Sequence, residues 1–194
     1  MSLYEYDEKA HKLVNPVVIL DEALDDATIC KVDGRYFLAA TKMDSTRKNA
    51  LLYTSDSFKG RFKQLSDKPF EESIRCSRSA GDFFFVDGDC YRPTQDCDGG
   101  YGLATTVMKV DFQKDDMIKE TEIFQIHPQK GKYDKCLHTL NFFGNICVVD
   151  GRDYIYPWKA RYALTVMYLQ KKRMDVIHLL GRIRRFIKKK TRKD

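Results

Sequence analysis

The sequence lacks long apolar runs, and this absence excludes whole classes of protein. No stretch reaches the roughly 18 consecutive apolar residues that a transmembrane helix needs. Met1 to Asp7 carries acidic side chains and no apolar segment, so we expect no secretory signal peptide. The four histidines do not stand at zinc-finger spacing from any cysteine pair. A hydrophobic content of 43% with 12% aromatic residues nevertheless suffices for a folded core.

The six cysteines are also without a Cys-x-x-Cys pair. Several lie within apolar runs, as Cys30 does in TICKV and Cys147 in NICVV, which is typical of small buried hydrophobic side chains. We therefore predict free thiols rather than a disulfide framework, and a cytoplasmic protein. Peripheral attachment to the inner face of a membrane stays open. The sequence predicts no cofactor and no metal site.

The positive charge is confined to one end of the chain. The net charge is +6, but residues 171–194 contain 11 Lys or Arg and only two Asp, so this segment alone carries +9. The preceding 170 residues therefore carry −3. Any interaction with a nucleic acid or an anionic membrane must depend on the C-terminal segment rather than on the body.

A short pattern recurs three times in the body. Two apolar runs flank a turn at Gly34, Gly88 and Gly144, which are 54 and 56 residues apart. The turn is Asp-Gly in the first two cases, a strong signal for a hairpin. Strand-like runs such as Ala50 to Ser55 and Gly102 to Phe112 follow the hairpins, so about four strands recur every 55 residues. This period predicts β-propeller blades, and a β-sandwich is the alternative.

Five segments carry a more specific resemblance. They are DATICKVDGRYFLAAT (26–41), LLYTSDSFKGRF (51–62), SRSAGDFFFVDGDCYRPTQDCDGGYG (77–102), LHTLN (137–141) and VVDG (148–151). The most specific piece is YRPTQDC (91–97) followed by Tyr101 and Gly102. In this order they resemble the five-bladed propeller domain at the N-terminus of glucosamine inositolphosphorylceramide transferase and of related bacterial glycan-assembly proteins. That domain is similar in fold to the arabinanase, levansucrase and invertase group of glycoside hydrolases.

The resemblance implies an all-β fold that is incomplete in this chain. Residues 1–158 have room for about three four-stranded blades, whereas the resemblance implies five, with the first blades missing. Residues 159–194 are predicted to add a basic amphipathic helix and tail. We expect that the chain cannot close a five-bladed ring by itself.

The resemblance also implies a ligand site over the central channel, at the starts of the innermost strands. These starts are residues 25–28, 78–82 and 136–138. Asp26 and Asp96 are the candidate catalytic carboxylates. The candidate ligand-binding residues, which include members of the YRPTQDC turn, are Arg75, Arg78, Asp82, Arg92, Gln95, Tyr101 and His138. Such a mixture suits a sugar or a sugar phosphate, because carboxylates accept from hydroxyls and arginine binds anions.

Several candidates have a structural alternative. Asp26 can shape a turn before an apolar strand, and Arg92 can pair with Asp96 to brace a loop. Asp96 can instead cap the turn that follows it. His138 lies on an apolar run, where a core histidine is the simpler interpretation.

The sequence favours binding over catalysis. Glycoside hydrolysis needs two carboxylates flanking the bond, and only Asp26 is a clear carboxylate at the predicted strand starts. We therefore predict a carbohydrate-recognising accessory domain in glycan or glycolipid assembly, with a glycosyltransferase as a candidate partner. An active glycoside hydrolase or glycosyl-transfer enzyme of the same fold is one alternative. A non-catalytic interaction scaffold with a membrane-surface helix is another.

The C-terminal segment changes to helical periodicity. Apolar residues recur at Val176, Leu179, Leu180, Ile183 and Ile187, which predicts one apolar helix face. The basic residues flanking it, which we expect to contact an anionic membrane or a partner, are Arg182, Arg184, Arg185, Lys188 and Lys189. Packing of this helix on the body is the alternative. Nucleic-acid binding is not expected, because the segment lacks interleaved aromatic residues.

Overall fold

The structure is a computed structural model that describes residues 1–44, 48–113, 117–153 and 157–171. The chain divides into two compact units, Met1–Asp153 and Tyr154–Asp194. In the described residues, the first unit is built from β-strands and the second contains one helix. No helix in these residues has the length and apolar character to cross a membrane.

The elements follow one another in a simple order. They are β1 (Ser2–Asp7), β2 (Lys12–Val18), β3 (Leu24–Val32), β4 (Arg35–Lys42), β5 (Ala50–Ser55), β6 (Lys63–Gln64), β7 (Phe84–Val86), β8 (Asp89–Asp96), β9 (Ala104–Phe112), β10 (Ile118–Ile126), β11 (Leu140–Phe143), β12 (Ile146–Val149) and α1 (Pro157–Lys171). The predicted continuation of the helix, with Arg182, Arg184, Arg185, Lys188 and Lys189, lies outside the described residues.

The strands form four antiparallel sheets, which confirms the all-β fold. Two sheets have four strands each, in the orders β3-β4-β5-β6 and β7-β8-β9-β10. Consecutive antiparallel strands in this number are the arrangement of a propeller blade. The other two sheets are the pairs β1-β2 and β11-β12. The third repeat therefore supplies two strands in the described residues rather than four, and the five-bladed ring with missing first blades remains a prediction.

The three glycine turns form the predicted hairpins, which join β3 to β4, β7 to β8 and β11 to β12. Asp33 and Gly34 have φ angles of 48° and 85°, and Asp87 and Gly88 have 52° and 86°. Two successive positive φ angles define the type I′ turn, whose twist matches that of the strands it joins. Asp-Gly is favoured at these positions because aspartate tolerates the left-handed conformation and glycine adopts it freely.

The core lies between successive sheets and consists of two clusters, one on each face of β4. Leu38 and Ala40 pack in one cluster with Ile19 and Leu20, which follow β2. Phe37 and Ala39 pack in a second cluster with residues of β8, β9 and β10. Neighbouring side chains of a strand point to opposite faces, so the continuous apolar run of β4 is what a sheet buried on both sides requires.

The second four-stranded sheet contains a fully buried ion pair. The guanidinium of Arg92 donates to both carboxylate oxygens of Glu120, at 2.7 Å and 2.6 Å. Further N–H groups donate to the Ser79 hydroxyl and the Cys76 carbonyl. Arg92 is 0% exposed and the Glu120 side chain 1%. The pair is excluded from water and its donors are satisfied. Removal of either partner would therefore leave the other buried without a counter-charge, at a high cost in stability.

We predict that Arg92→Met lowers the free energy of unfolding by about 3–5 kcal/mol, because it leaves the buried Glu120 carboxyl group without its partner. The double variant Arg92→Met/Glu120→Leu should recover most of this loss, since no charge is left behind. Lys109→Met is the matched control, because it removes a partly exposed pair with Asp89 and should cost at most about 1 kcal/mol. Urea denaturation measures all three. Equal losses in Arg92→Met and Lys109→Met would contradict the prediction.

Candidate functional site

Three predicted segments surround one cavity of about 250 Å³, here called the site cavity. Residues 26–28 at the start of β3 form one wall, and residues 79–82 ahead of β7 form the second. Residues 138–141, at the start of the third repeat, form the third wall. Five predicted site residues line it, namely Asp26, Asp82, Gln95, Tyr101 and His138.

Asp26 reaches the cavity because the backbone of β3 is irregular at this point. The pairing register with β4 shifts between Asp25 and Thr28, as in a β-bulge, and Asp26 has a φ of 50°. A bulge turns a side chain away from the regular alternation, and bulges are common beside functional sites. Aspartate is one of the residues that accepts this left-handed conformation with little penalty.

An arginine behind the cavity wall holds Asp26. The Arg78 Nε donates to the Asp26 Oδ2 at 2.6 Å, and its guanidinium lies 5.4 Å from the centre of the Tyr101 ring. Arg78 is buried and does not line the cavity itself. Burial raises the pKa of the Tyr101 hydroxyl, with the Arg78 charge opposing and Asp26 adding to the shift. Tyr101 thus remains a neutral hydrogen-bond donor at physiological pH.

Gln95 offers an unused acceptor at the cavity wall. Its Nε2 donates to the Ser79 carbonyl at 2.8 Å, which fixes the orientation of the amide. Its Oε1 is buried and has no hydrogen-bond partner among the described residues, although Gln95 is only 3% exposed. A buried unpaired acceptor costs about 1–3 kcal/mol, so the packing beside this cavity wall carries a local cost in stability.

The third wall depends on two close backbone approaches. The Leu140 N–H donates to the Ala80 carbonyl at 2.8 Å, and the Asp82 N–H donates to the Asn141 Oδ1 at 3.1 Å. A Cβ at Gly81 would lie 2.1 Å from the Leu140 carbonyl oxygen. Glycine is therefore required for the second and third repeats to meet at this cavity.

His138 fits against another glycine and an aromatic ring. A Cβ at Gly102 would lie 2.2 Å from the His138 Cβ, and the Tyr101 and His138 rings lie 5.0 Å apart. The His138 Nδ1 forms a short contact with the carboxylate of Asp150. The Cys136 Sγ lies 3.4 Å from the same nitrogen. Burial raises the pKa of the Cys136 thiol, and Asp150 adds to the effect while Arg152 opposes it.

The remaining site candidates lie outside the site cavity. Arg75 and Asp96 form an ion pair at 3.1 Å, and Asp96 also accepts from Gln125 at 2.7 Å. Although partial burial works against ionisation, the Asp98 N–H, Gln125 and Arg75 together hold the pKa of Asp96 below its usual value. Arg92 is the buried partner of Glu120 and has no exposed surface for a ligand.

Strand alternation explains this division. Side chains two residues apart share a face, so Arg92 and Asp96 of β8 lie on one face while Gln95 lies on the other. We therefore assign Arg92 to the core instead of the ligand site expected for it. Arg75 and Asp96 belong to a surface network, instead of the ligand-binding role expected for Arg75 and the catalytic role expected for Asp96. The cavity-facing carboxylates are Asp26 and Asp82.

Sequence reasoning missed several residues around the cavity. Asn141 and Thr139 lie in the LHTLN segment, and Asp150 lies in VVDG, so the signal was present in segments that carried the resemblance. Gly81 was missed because its role depends on the approach of a distant carbonyl. Cys136 and Asp150 border a second cavity of about 560 Å³.

The cavity can bind a small polar ligand. Two carboxylates and an amide oxygen accept from hydroxyls, and Tyr101 and Thr28 can donate. At about 250 Å³ it lies just below the range of about 300–1,000 Å³ for drug-sized ligands.

Curated plant proteins are similar to this chain in sequence. Glucosamine inositolphosphorylceramide transferase 1 of Oryza sativa subsp. japonica is 32% identical over 114 residues. The protein of the same name from Arabidopsis thaliana is 31% identical over 112 residues. Each match covers 55% of this chain and 15% of the relative, so the chain corresponds to a small part of those proteins.

Solved structures of glycoside hydrolases share a more distant likeness. An α-L-arabinofuranosidase from Clostridium thermocellum is 13% identical with a TM-score of 0.46, covering 71% of this chain and 45% of that one. A thermostable family-43 glycoside hydrolase is 14% identical with a TM-score of 0.47, covering 67% and 49%. Both TM-scores lie below 0.5, so these likenesses add nothing to the fold described above.

A family match covers most of the strand-built unit. Residues 2–139 match the family described as "Glucosamine inositolphosphorylceramide transferase 1, N-terminal". These residues include three of the five segments on which the resemblance depends, together with the first part of the fourth, LHTLN. The match spans well over half of the chain, which therefore belongs to the family of glucosamine inositolphosphorylceramide transferase 1 N-terminal domains.

Proposed function

We propose that this chain is a carbohydrate-binding accessory domain that acts in glycolipid or glycan assembly beside a glycosyltransferase. The observation that carries the proposal is the polar lining of one cavity, where Asp26, Asp82 and Tyr101 face the same space. A sugar hydroxyl both donates and accepts, so it can donate to one of these carboxylates and accept from Tyr101 in turn. The ordering of Asp26 by Arg78 ahead of binding lowers the entropy that a ligand must offset.

The similarity to the plant transferases supports the proposed setting. Their name describes a transferase acting with glucosamine and inositolphosphorylceramide, and this chain belongs to the family of their N-terminal part. Because it covers 15% of their length, the transfer reaction itself is not proposed for it. A glucosamine residue or an inositol phosphate is the ligand class that this relationship suggests.

One observation favours a second candidate function, glycoside hydrolysis. Asp26 and Asp82 line the same cavity, and a glycosidase needs two carboxylates around the bond it cleaves. One of the two must act as a proton donor. Asp26 already accepts a hydrogen bond from the Arg78 guanidinium, so the pair presents an acceptor to the cavity. Binding is therefore the primary proposal.

We predict that Gln95→Met weakens binding of glucosamine or myo-inositol phosphate about tenfold, because the cavity lining loses a polar group worth about 1.5 kcal/mol. Gln125→Met is the matched control, since this amide lies outside the site cavity and bonds Asp96 and Thr106. Asp82→Ala should weaken binding by a similar factor, and its exposed position protects the fold. Isothermal titration calorimetry or ligand-observed NMR measures the dissociation constants.

Two results would contradict the binding proposal. Equal affinities in Gln95→Met and Gln125→Met would remove the site cavity as the binding place. Hydrolysis of aryl glycosides that is lost in Asp26→Asn, with unfolding unchanged, would replace binding by the hydrolase alternative.

We also propose that the basic C-terminal segment attaches the domain to an anionic membrane surface on its cytoplasmic side. The support is the sequence, since residues 171–194 carry +9 and show helical periodicity. Each Lys or Arg near an anionic surface contributes about 1 kcal/mol. A glycolipid substrate would place the domain at such a surface.

Deletion of residues 172–194 should therefore abolish co-sedimentation with phosphatidylserine vesicles, while sugar binding is retained. Vesicles of phosphatidylcholine alone are the control, because they lack the negative surface charge. Salt should weaken the interaction of the full chain, since surface charges are screened within about 8 Å at physiological ionic strength. Equal sedimentation of the full and shortened chains would exclude the segment.

A further inference from the structure

Three metal-binding side chains converge beside the site cavity. The Cys136 Sγ, the His138 Nδ1 and a carboxylate oxygen of Asp150 all lie within 4.8 Å of one another. Cys136 is buried, and the other two are half-buried. Of these three residues only His138 lines the site cavity, so sugar binding does not explain why Cys136 and Asp150 lie beside it.

The geometry argues against a nucleophilic triad. In a Cys-His-Asp relay the imidazole uses one ring nitrogen for the thiol and the other for the carboxylate. Here the thiol, at 3.4 Å, and the carboxylate both contact Nδ1. One nitrogen cannot accept the thiol proton while it donates to the carboxylate. The three donor atoms instead lie within 4.8 Å of one another, close enough to bind one ion together.

The chain fold holds these groups in position. Cys136 and His138 precede β11, Asp150 follows β12, and the pairing of Leu140 with Val149 places the two ends side by side. The Asp150 Oδ1 accepts from the backbone N–H groups of His138 and Thr139, both at 2.9 Å. Its Oδ2 is therefore directed at the imidazole. Hydrogen bonds of this kind orient the ligands of metal sites.

The donor types select the ion. Thiolate, imidazole and carboxylate are the protein ligands of Zn²⁺, whereas Ca²⁺ and Mg²⁺ prefer oxygen alone. Three protein ligands leave a fourth tetrahedral position, the pattern of zinc sites that bind water or substrate. Cys136 and Asp150 border the cavity of about 560 Å³, while His138 lines the site cavity. Solvent or a ligand oxygen can therefore approach the cluster.

We propose that Cys136, His138 and Asp150 bind one Zn²⁺ ion, with water or a ligand oxygen in the fourth position. Binding releases the thiol proton to solvent, since the thiolate is the ligand, and the imidazole binds in its neutral form. The carboxylate then bonds the ion instead of the imidazole. No change of oxidation state is involved.

The test uses the full chain, freed of metal by a chelator and kept reduced with a phosphine. Titration with zinc chloride against a chromophoric indicator should give one ion per chain. Cys136→Ser and Asp150→Asn should each weaken binding at least about tenfold, because even loss of an outer partner costs 10–100-fold. Cys147→Ser and His127→Gln are matched controls that remove an exposed thiol and a histidine outside the cluster, and they should retain the affinity.

Cobalt(II) gives a second readout that needs no stable variant. Bound to the unchanged chain, it should show a thiolate-to-cobalt charge-transfer band in the near ultraviolet, which persists in Cys147→Ser. Asp150→Asn keeps an acceptor for the His138 and Thr139 N–H groups, so folding is preserved. Absence of stoichiometric zinc, absence of this band, or equal affinity in Cys136→Ser and Cys147→Ser would each overturn the proposal. None of these measurements depends on sugar binding.

Discussion

Burial of β4 on both faces is the constraint on which the rest of the structure depends. Leu38 and Ala40 face the cluster that includes Ile19, and Phe37 and Ala39 face the cluster that includes Val110. A sheet covered on one side only would leave one of these sets in water, at about 25 cal/mol for each Å² of apolar surface. Successive sheets must therefore stack. The stacking places the starts of their first strands around a common space, and the site cavity is that space.

Local departures from regular strands turn this space into a site. A perfectly regular β3 would not carry the register shift that accompanies Asp26, and a side chain at Gly81 would collide with the Leu140 carbonyl. The positive φ of Asp26 and the buried Gln95 oxygen both cost stability in the unliganded chain. Such costs are concentrated where a ligand can offset them. Arg78 stabilises the result by holding Asp26, which makes it a positioning residue for the cavity.

Local sequence patterns predicted the strands and the hairpins, and the resemblance implied which three segments would meet at the site. Asp-Gly turns and apolar runs depend on neighbouring residues alone, so they can be read without a structure. The two facts that could not be read this way involve distant partners. Arg92 lies in YRPTQDC close to Gln95, but strand alternation places Arg92 and Gln95 on opposite faces of the sheet. The partner of Arg92 is Glu120, which stands 28 residues away in the sequence. The third repeat resembles the others in its hairpin, yet in the described residues it forms only β11 and β12. Hairpin signals specify pairs of strands and leave the number of strands in a sheet open.

The proposed sugar and zinc sites meet at His138, and their chemistry is compatible there. Zinc at Nδ1 would fix the neutral imidazole in the tautomer with its proton on Nε2. The ring would then present a donor at Nε2, whereas in the metal-free imidazole the contact with Asp150 holds the proton on Nδ1 and leaves Nε2 as an acceptor. Among the other lining side chains, Asp26 and Asp82 offer acceptors, and Tyr101 and Thr28 can donate. A sugar needs both kinds of partner, because each hydroxyl donates once and accepts as well. The metal would therefore contribute to recognition by fixing the direction of one hydrogen bond, without taking part in any bond cleavage.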